Sequence, residues 1–291
     1  MRSIVVGMGI GSLYKTVLEN LNYDVITVDL VKPADFKTVD DAIRAYSFFD
    51  TAHICTPNFT HETIARQLAD CARLIFVEKP GVKDANTWMS IVTDFPKTRF
   101  MMVKNNQWRS NLDEMRQLAL QSTTININWI NHNRVPNPGS WFTTKELSYG
   151  GVSRDLMPHL LSLFAALEPN YFAASQDRNL KIQRWKLDQL SGTDYGAINI
   201  DGVYDVDDVH LLRFLHNDKI WNLTANWRSM DSTNVDIEFK LNDGSTTVIQ
   251  LGLCPEDAYQ SMIDDAVCNQ HNDKFWYSQF IQDYWIHGVI A

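Results

Sequence analysis

The chain has little of what would send it to a membrane, a nucleic acid or a disulfide scaffold. It holds no run of about 18 apolar residues, so no transmembrane helix is expected. Lys and Arg number 26 against 35 Asp and Glu, a net charge of −9. Nothing in that balance favours a phosphate backbone or an anionic bilayer as main partner, so neither nucleic acid nor membrane is expected. The four cysteines, Cys55, Cys71, Cys254 and Cys268, form no CxxC pair. Free thiols in a reducing cytoplasm are expected, with no structural zinc. Repeats and low-complexity tracts are absent, and residues 3–6 read as a strand with no leader-like succession before it, so no signal peptide is expected. What is present is globular: 291 residues, 45% apolar and 21% charged, enough for one large domain or two ordinary ones.

The clearest local signal follows the first strand. Gly7, Met8, Gly9, Ile10, Gly11 and Ser12 lead into a helical stretch to about residue 21, then a strand over 24–28 ending at Asp29. Glycines in such a turn bend the backbone tightly and let it approach a pyrophosphate seated on the helix N-terminus. An acid at the end of the second strand can accept hydrogen bonds from ribose hydroxyls and repels a 2′-phosphate. The pattern points to NAD(H), with NADP(H) possible because Lys32 lies nearby. Ser12 stands where the fingerprint has Gly or Ala, with the extra Gly11 beside it.

Strands and helices then alternate. A helix over 39–46 precedes a strand over 51–56, then Pro57 and Asn58, and a helix from Thr60, its expected N-cap, to about 71. An apolar strand over 74–77 runs into Glu78, Lys79 and Pro80. A helix over 84–94, a strand over 100–103, a loop at 106–109 and a helix over 112–121 complete the series. This predicts an α/β, doubly wound parallel sheet. Glu78 and Lys79 fall at the carboxyl end of a strand, where open sheets place ligands. A lysine partly withdrawn from water there suits proton transfer, although a Glu–Lys pair is also an ordinary surface feature.

Past residue 122 the period changes. Alternation over 125–129, 235–241 and 246–251, with Asn242, Asp243 and Gly244 as a hairpin turn, and further strands over 209–215 and 220–227, predict an α+β half with an open, mostly antiparallel sheet. The stretch 170–207 is weakly patterned and assigns to no element. A helix opens near Gly150 and Gly151 and runs to about 167, with Leu156, Leu160, Leu163, Phe164 and Leu167 on one face. Asp155 and His159 lie one turn apart on it, so the acid can orient the imidazole for acid/base work. A surface pair at a capped helix start is the other reading, and a metal site would lack a third ligand. Pro158 is expected to disturb this helix. The aromatic stretch 275–286 reads as a helix packed on the body or on a neighbouring subunit.

Taken together, these stretches resemble the Gfo/Idh/MocA family of oxidoreductases. The matching pieces are Gly7-x-Gly9, Thr56-Pro57-Asn58-x-x-His61, Glu78-Lys79-Pro80, and Gly150-Gly151-x-x-x-Asp155-x-x-x-His159. The likeness holds over roughly residues 1–165. It implies a Rossmann domain over 1–121 and a substrate-binding and oligomerising domain over 122–291. Lys79 and His159 would serve the substrate hydroxyl, and Asp155 would bind substrate or orient His159. Thr56, Pro57, Asn58 and His61 would line the cofactor crevice, and Glu78 would approach the nicotinamide ribose. The implied substrate is a sugar, cyclitol or related polyol, free or nucleotide-linked, and the implied assembly a homodimer or tetramer. Substrate contacts are expected from 106–109, including Gln107, Trp108 and Arg109, and from 134–142, including Arg134 and Trp141. A cofactor-binding regulator and a biliverdin-reductase-like C=C or C=N reductase are the alternative functions.

Overall fold

A computed structural model describes residues 1–172, 180–186 and 198–291. Two compact units divide it: Met1–Trp108, Pro255–Val289 and Ala291 form the first, and Arg109–Cys254 with Ile290 the second.

The first unit begins with alternating strands and helices: β1 (Arg2–Val6), α1 (Gly11–Asn20), β2 (Asp24–Val28), α2 (Val39–Tyr46), β3 (Phe49–Ile54), α3 (His61–Leu68), β4 (Ala72–Val77), α4 (Ala85–Asp94) and β5 (Arg99–Met102). The strands pair in parallel in the order β2-β1-β3-β4-β5. Their apolar runs fit this, because a parallel sheet is covered on both faces; Ile4, Ala52 and Ile75 are fully or nearly fully buried. The order reverses between β1 and β3, which makes the glycine turn after β1 the topological switch point.

In the second unit, α5 (Leu112–Leu120) leads into β6 (Ser122–His132), followed by α6 (Lys145–Ser148), α7 (Val152–Asp155) and α8 (Met157–Leu167). The other strands are β7 (Lys181–Trp185), β8 (Val209–His216), β9 (Lys219–Ser229), β10 (Asn234–Leu241) and β11 (Thr246–Gln250), in the order β11-β10-β6-β9-β8-β7. Only β6 and β9 run parallel; the other neighbours are antiparallel. One face is apolar, with Ile125, Ile127, Leu223 and Phe239 buried. The other carries a half-buried amide ladder in which Asn222 donates to Asn126 (2.8 Å) and Asn126 to Glu238 (3.0 Å).

Two C-terminal helices, α9 (Glu256–Cys268) and α10 (Asp273–Ile290), belong to the first unit apart from Ile290. The division therefore differs from the expected 1–121 and 122–291. A buried ion pair gives the reason: the Lys104 ammonium, just past β5, bonds the Asp283 carboxylate on α10, and both side chains are fully buried. Asp283 also accepts from the Met102 amide at 3.0 Å. α5 goes the other way, packing on α8, β6 and β10.

Three local expectations also change. The helix foreseen from about 150 to 167 is two helices, broken at Leu156. Pro158 then falls in the first turn of α8, where its missing N–H costs nothing. α8 is buried nearly all round, Leu161, Ser162 and Ala165 included, rather than along one stripe. Thr60 occupies the N-cap position of α3, but its hydroxyl donates to Thr56 Oγ1 (2.6 Å) and Pro57 O (2.7 Å) and does not cap. Within 170–207, β7 and a short 3₁₀ turn at Pro169–Phe172 are formed, and residues 173–179 and 187–197 lie outside the described residues.

Candidate active site

The carboxyl edge of the first sheet gathers most of the sequence-predicted positions. After β1 the chain turns at Gly7, whose φ of +94° an L side chain rarely adopts and whose added Cβ would lie 2.7 Å from Cys55 O. Gly11 opens α1, and a Cβ there would lie 2.9 Å from Val5 Cγ1. Close helix–strand packing, the task of the fingerprint's last glycine, is therefore met by Gly11. Ser12 is exposed, its hydroxyl donating to Gly9 O at 2.9 Å. Gly9 differs from both: a Cβ there would meet nothing within 4 Å. The fold does not need that glycine, whereas a ligand lying against the turn would. Ile10 holds the N-cap position with helical dihedrals, and the first turn of α1 is tightened by the Ser12 amide donating to Gly9 O (3.4 Å) and the Leu13 amide to Ile10 O (3.0 Å).

Asp29 is tied to the turn. Its Oδ2 accepts from the Met8 amide (2.7 Å), and its Oδ1 from the Val31 (2.8 Å) and Lys32 (2.7 Å) amides. Partial burial works to raise its pKa, but these donors outweigh it and hold the carboxyl below the usual range. Oδ1 is filled by its two amides, and Oδ2, with one, keeps capacity for a further donor such as a ribose hydroxyl. Lys32 Nζ donates to Met8 O at 3.0 Å, so a cation sits beside the acid.

Beyond β3, Thr56 and Pro57 lead into a 3₁₀ turn at Asn58–Thr60, and Asn58 is buried. His61 is fully buried: its Nδ1 lies 2.7 Å from Gly81 O and its Nε2 2.8 Å from Thr56 O. Burial lowers its pKa against the pull of the two carbonyls. Its ring thus faces backbone, where the resemblance implied a place in the crevice wall. Glu78 is buried after β4, its Oε1 accepting the Tyr14 hydroxyl at 2.6 Å and its Oε2 the Lys79 amide at 3.1 Å. Burial raises the Glu78 pKa, restrained by the Tyr14 bond and the Lys79 charge. Tyr14 is pushed well up by burial and by the Glu78 charge. Lys79 is half-buried, and its peptide bond to Pro80 is cis.

The remaining residues lie in other settings. Trp108 donates to Asp265 (3.0 Å) and Gln107 to Gln282 (2.8 Å), both inside the first unit. In the second unit, Arg109 is buried and donates to Leu251 O (2.7 Å) and Gly252 O (3.1 Å), which ties down the end of β11. Its guanidinium is thus buried against main-chain carbonyls and does not stand at the surface. Arg134 is exposed, and half-buried Trp141 packs on Phe142 with ring centroids 4.2 Å apart. Asp155 ends α7 and His159 lies in the first turn of α8, both half-buried. Trp227 Nε1 donates to Asp155 Oδ2 at 3.1 Å, and Trp129 stacks on the His159 ring at 4.9 Å. Two tryptophans of neighbouring strands thus fix the acid and the imidazole.

Sequence reading missed Tyr14 and His287. Tyr14 sits on the buried stripe of α1 with Val17 and Leu18, and a phenol there needs a polar partner, which was the available signal. His287 has no such local mark. Among the described residues no group of three His, Cys, Asp or Glu gathers to hold a metal, and no helix is long and apolar enough to cross a membrane.

Comparison with known proteins places this geometry. No protein-family profile matches the chain. A protein of Amycolatopsis mediterranei (strain S699), provisionally named as the oxidoreductase subunit of UDP-kanosamine synthase, is 28% identical over 123 residues. That match covers 40% of this chain and 34% of the relative's length. Solved structures match almost throughout. GenD2 of gentamicin A biosynthesis, in complex with NAD, superposes with a TM-score of 0.77 at 16% identity, covering 99% of this chain and 92% of its own. Levoglucosan dehydrogenase with NADH and levoglucosan gives 0.70 at 13%, covering 100% and 95%. The WlbA dehydrogenase with NADH and UDP-GlcNAcA gives 0.68 at 14%, covering 97% and 90%. The chain has the fold of these structures, in both of its sheets.

Proposed function

We propose that the chain is an NAD(H)-dependent oxidoreductase acting on a hydroxyl or carbonyl carbon of a sugar, cyclitol or nucleotide-linked sugar. The observation that carries this reading is the glycine turn at the switch point, with open space above Gly9 and Asp29 bonded to its Met8 amide. The turn would hold a pyrophosphate against the start of α1, and Asp29 would take a ribose hydroxyl. That arrangement favours NAD(H) over NADP(H). When bound, the nicotinamide supplies the hydride acceptor or donor, and the chain supplies orientation and proton transfer.

Lys79 and His159 are the proposed proton-transfer residues, and Asp155, fixed by Trp227, the proposed substrate or imidazole partner. Arg134 and Trp141 are proposed to meet the substrate, with Gln107, Trp108 and Arg109 shaping its surroundings from within the scaffold. Structural neighbours named for NAD or NADH and for sugar ligands support the substrate class. A homodimer or tetramer in the cytoplasm is the proposed setting.

The test is a titration with NADH and with NADPH, read by tryptophan-to-nicotinamide energy transfer, followed by a screen of sugars, polyols and nucleotide sugars. Saturable binding with NADH preferred supports the reading, and failure of both cofactors to bind overturns it. On the substrate found, Lys79→Ala lowers kcat by about 10²-fold or more with cofactor affinity nearly intact. Unchanged turnover removes Lys79 from its role.

A further inference from the structure

Two buried histidines grip the backbone just beyond Lys79. From α3, His61 places Nδ1 2.7 Å from Gly81 O and Nε2 2.8 Å from Thr56 O, so one ring joins the end of β3 to the turn that follows β4. From α10, His287 accepts the Val82 amide at Nε2 (3.1 Å), while its Nδ1 lies 2.6 Å from Asp283 O. The carbonyl can only accept and the amide can only donate. The His287 proton therefore sits on Nδ1, and Nε2 is the bare nitrogen. Trp88 stacks on this ring at 5.2 Å and 20°, and the Lys104–Asp283 pair fixes the helix one turn before it. The Gly81 amide donates to Glu78 O at 2.9 Å and closes the turn that carries Lys79.

Both imidazoles are fully buried, so neither can exchange a proton with a substrate. A polar ring is costly to bury unless its bonds are made: His287 bonds the Val82 amide and Asp283 O, and the one N–H of a neutral His61 ring has Gly81 O and Thr56 O as its acceptors. We propose that His61 and His287 are positioning residues for Lys79. They hold the Gly81–Val82 backbone from two helices, and through it fix where the Lys79 side chain leaves the sheet edge. This rests on the reading of Lys79 as a proton-transfer residue. It assigns α10 a task in the site.

The experiment needs no substrate. Amide hydrogen exchange at Val82 and the rate of Lys79 modification by acetic anhydride are read by mass spectrometry in full-length variants. His287→Phe keeps the ring and removes the acceptor, whereas His287→Gln places an amide oxygen near the Nε2 position. The Phe variant is expected to speed Val82 exchange by about tenfold or more, with β1 amides unchanged. It also changes the Lys79 acetylation rate by about threefold or more, while the NADH dissociation constant stays within about twofold. The Gln variant restores both. Should the Phe variant fold poorly, His61→Gln, whose amide reaches only the Nε2 position beside Thr56 O, is expected to alter Lys79 acetylation, and His61→Asn, whose amide reaches only the Nδ1 position beside Gly81 O, is not. Faster exchange with unaltered Lys79 acetylation reduces the histidines to packing and overturns the proposal, as does unaltered exchange. If Lys79→Ala leaves turnover intact, the catalytic reading of Lys79 falls on that assay alone, and the exchange result still shows whether the clamp exists.

Discussion

Substituting Gly9 by Ala separates what the fold requires from what a ligand requires. A methyl group at residue 9 would have no protein atom within 4 Å, and Gly9 is not among the glycines with positive φ. The change therefore removes only freedom of the unfolded chain, which stabilises by about 0.4–1 kcal/mol. For a bound dinucleotide the same methyl stands where the pyrophosphate approaches the backbone. Loss of one charge-assisted amide–phosphate bond costs about 1.5–3 kcal/mol, a rise of about 10- to 150-fold in the NADH dissociation constant. Gly11→Ala is the mirror control. Its Cβ would press within 2.9 Å of Val5 Cγ1, on a fully buried β-branched side chain. Overpacking of that kind costs about 1–3 kcal/mol, and the gain in helix propensity returns only about 1 kcal/mol. Energy-transfer titration with NADH and urea unfolding of both variants give the four numbers. An NADH dissociation constant for Gly9→Ala within twofold of wild type would refute the reasoning, because nothing would then lie against the turn. A loss of more than about 1 kcal/mol in the same variant would show that the fold itself needs that glycine.

Three further outcomes are expected. Asp29→Ala narrows the preference for NADH over NADPH, measured as the ratio of their dissociation constants; an unchanged ratio removes the carboxylate from cofactor choice. Arg109→Leu lowers unfolding free energy by about 1.5–3 kcal/mol, because two carbonyls lose a charged donor, and it leaves the substrate KM within about twofold if the guanidinium is a scaffold tie. Asp35 is held below the usual carboxylate range by the Thr27 hydroxyl and amide. A lowered folded-state pKa gives stability that is complete at neutral pH and is lost as pH falls through that pKa. The stability gap between wild type and Asp35→Asn should narrow as pH falls from neutral through the lowered pKa, and a gap that does not change over that fall would contradict the assignment.

Much of the first unit was legible because its signals are local. Strand runs and helix periods recur over a few residues, and the helix over 39–46 and the strand over 24–28 are found where the pattern put them. The glycine turn was legible as a turn, while the exchange of roles between Gly11 and Ser12 was not, since it depends on Val5 and Cys55 lying beneath the helix. Pairings across distance left no trace in periodicity. Lys104 and Asp283 look like two ordinary charges until the fold brings them together, which is why 275–286 read only as a helix packed on the body or on a neighbouring subunit. Pro158 was read as a disturbance because one helix was assumed; a break at Leu156 turns it into a helix-start residue. Arg109 resembled a ligand-binding arginine because nothing nearby in sequence offers it carbonyls, and those of Leu251 and Gly252 come from the far end of the second unit.

The two-part make-up of the first unit bears on how the chain is born. Residues 1–108 emerge from the ribosome well before 255–289, with the whole second unit translated between them. During that interval Lys104, just past β5, has no Asp283 and Val82, just past β4, no His287, so the early sheet holds its glycine turn while its far side is unfinished. A nascent chain in this state is a candidate for chaperone holding. A fragment ending near residue 121 would carry the glycine turn yet lack the unit's last two helices, which makes it a poor stand-in for the intact first unit.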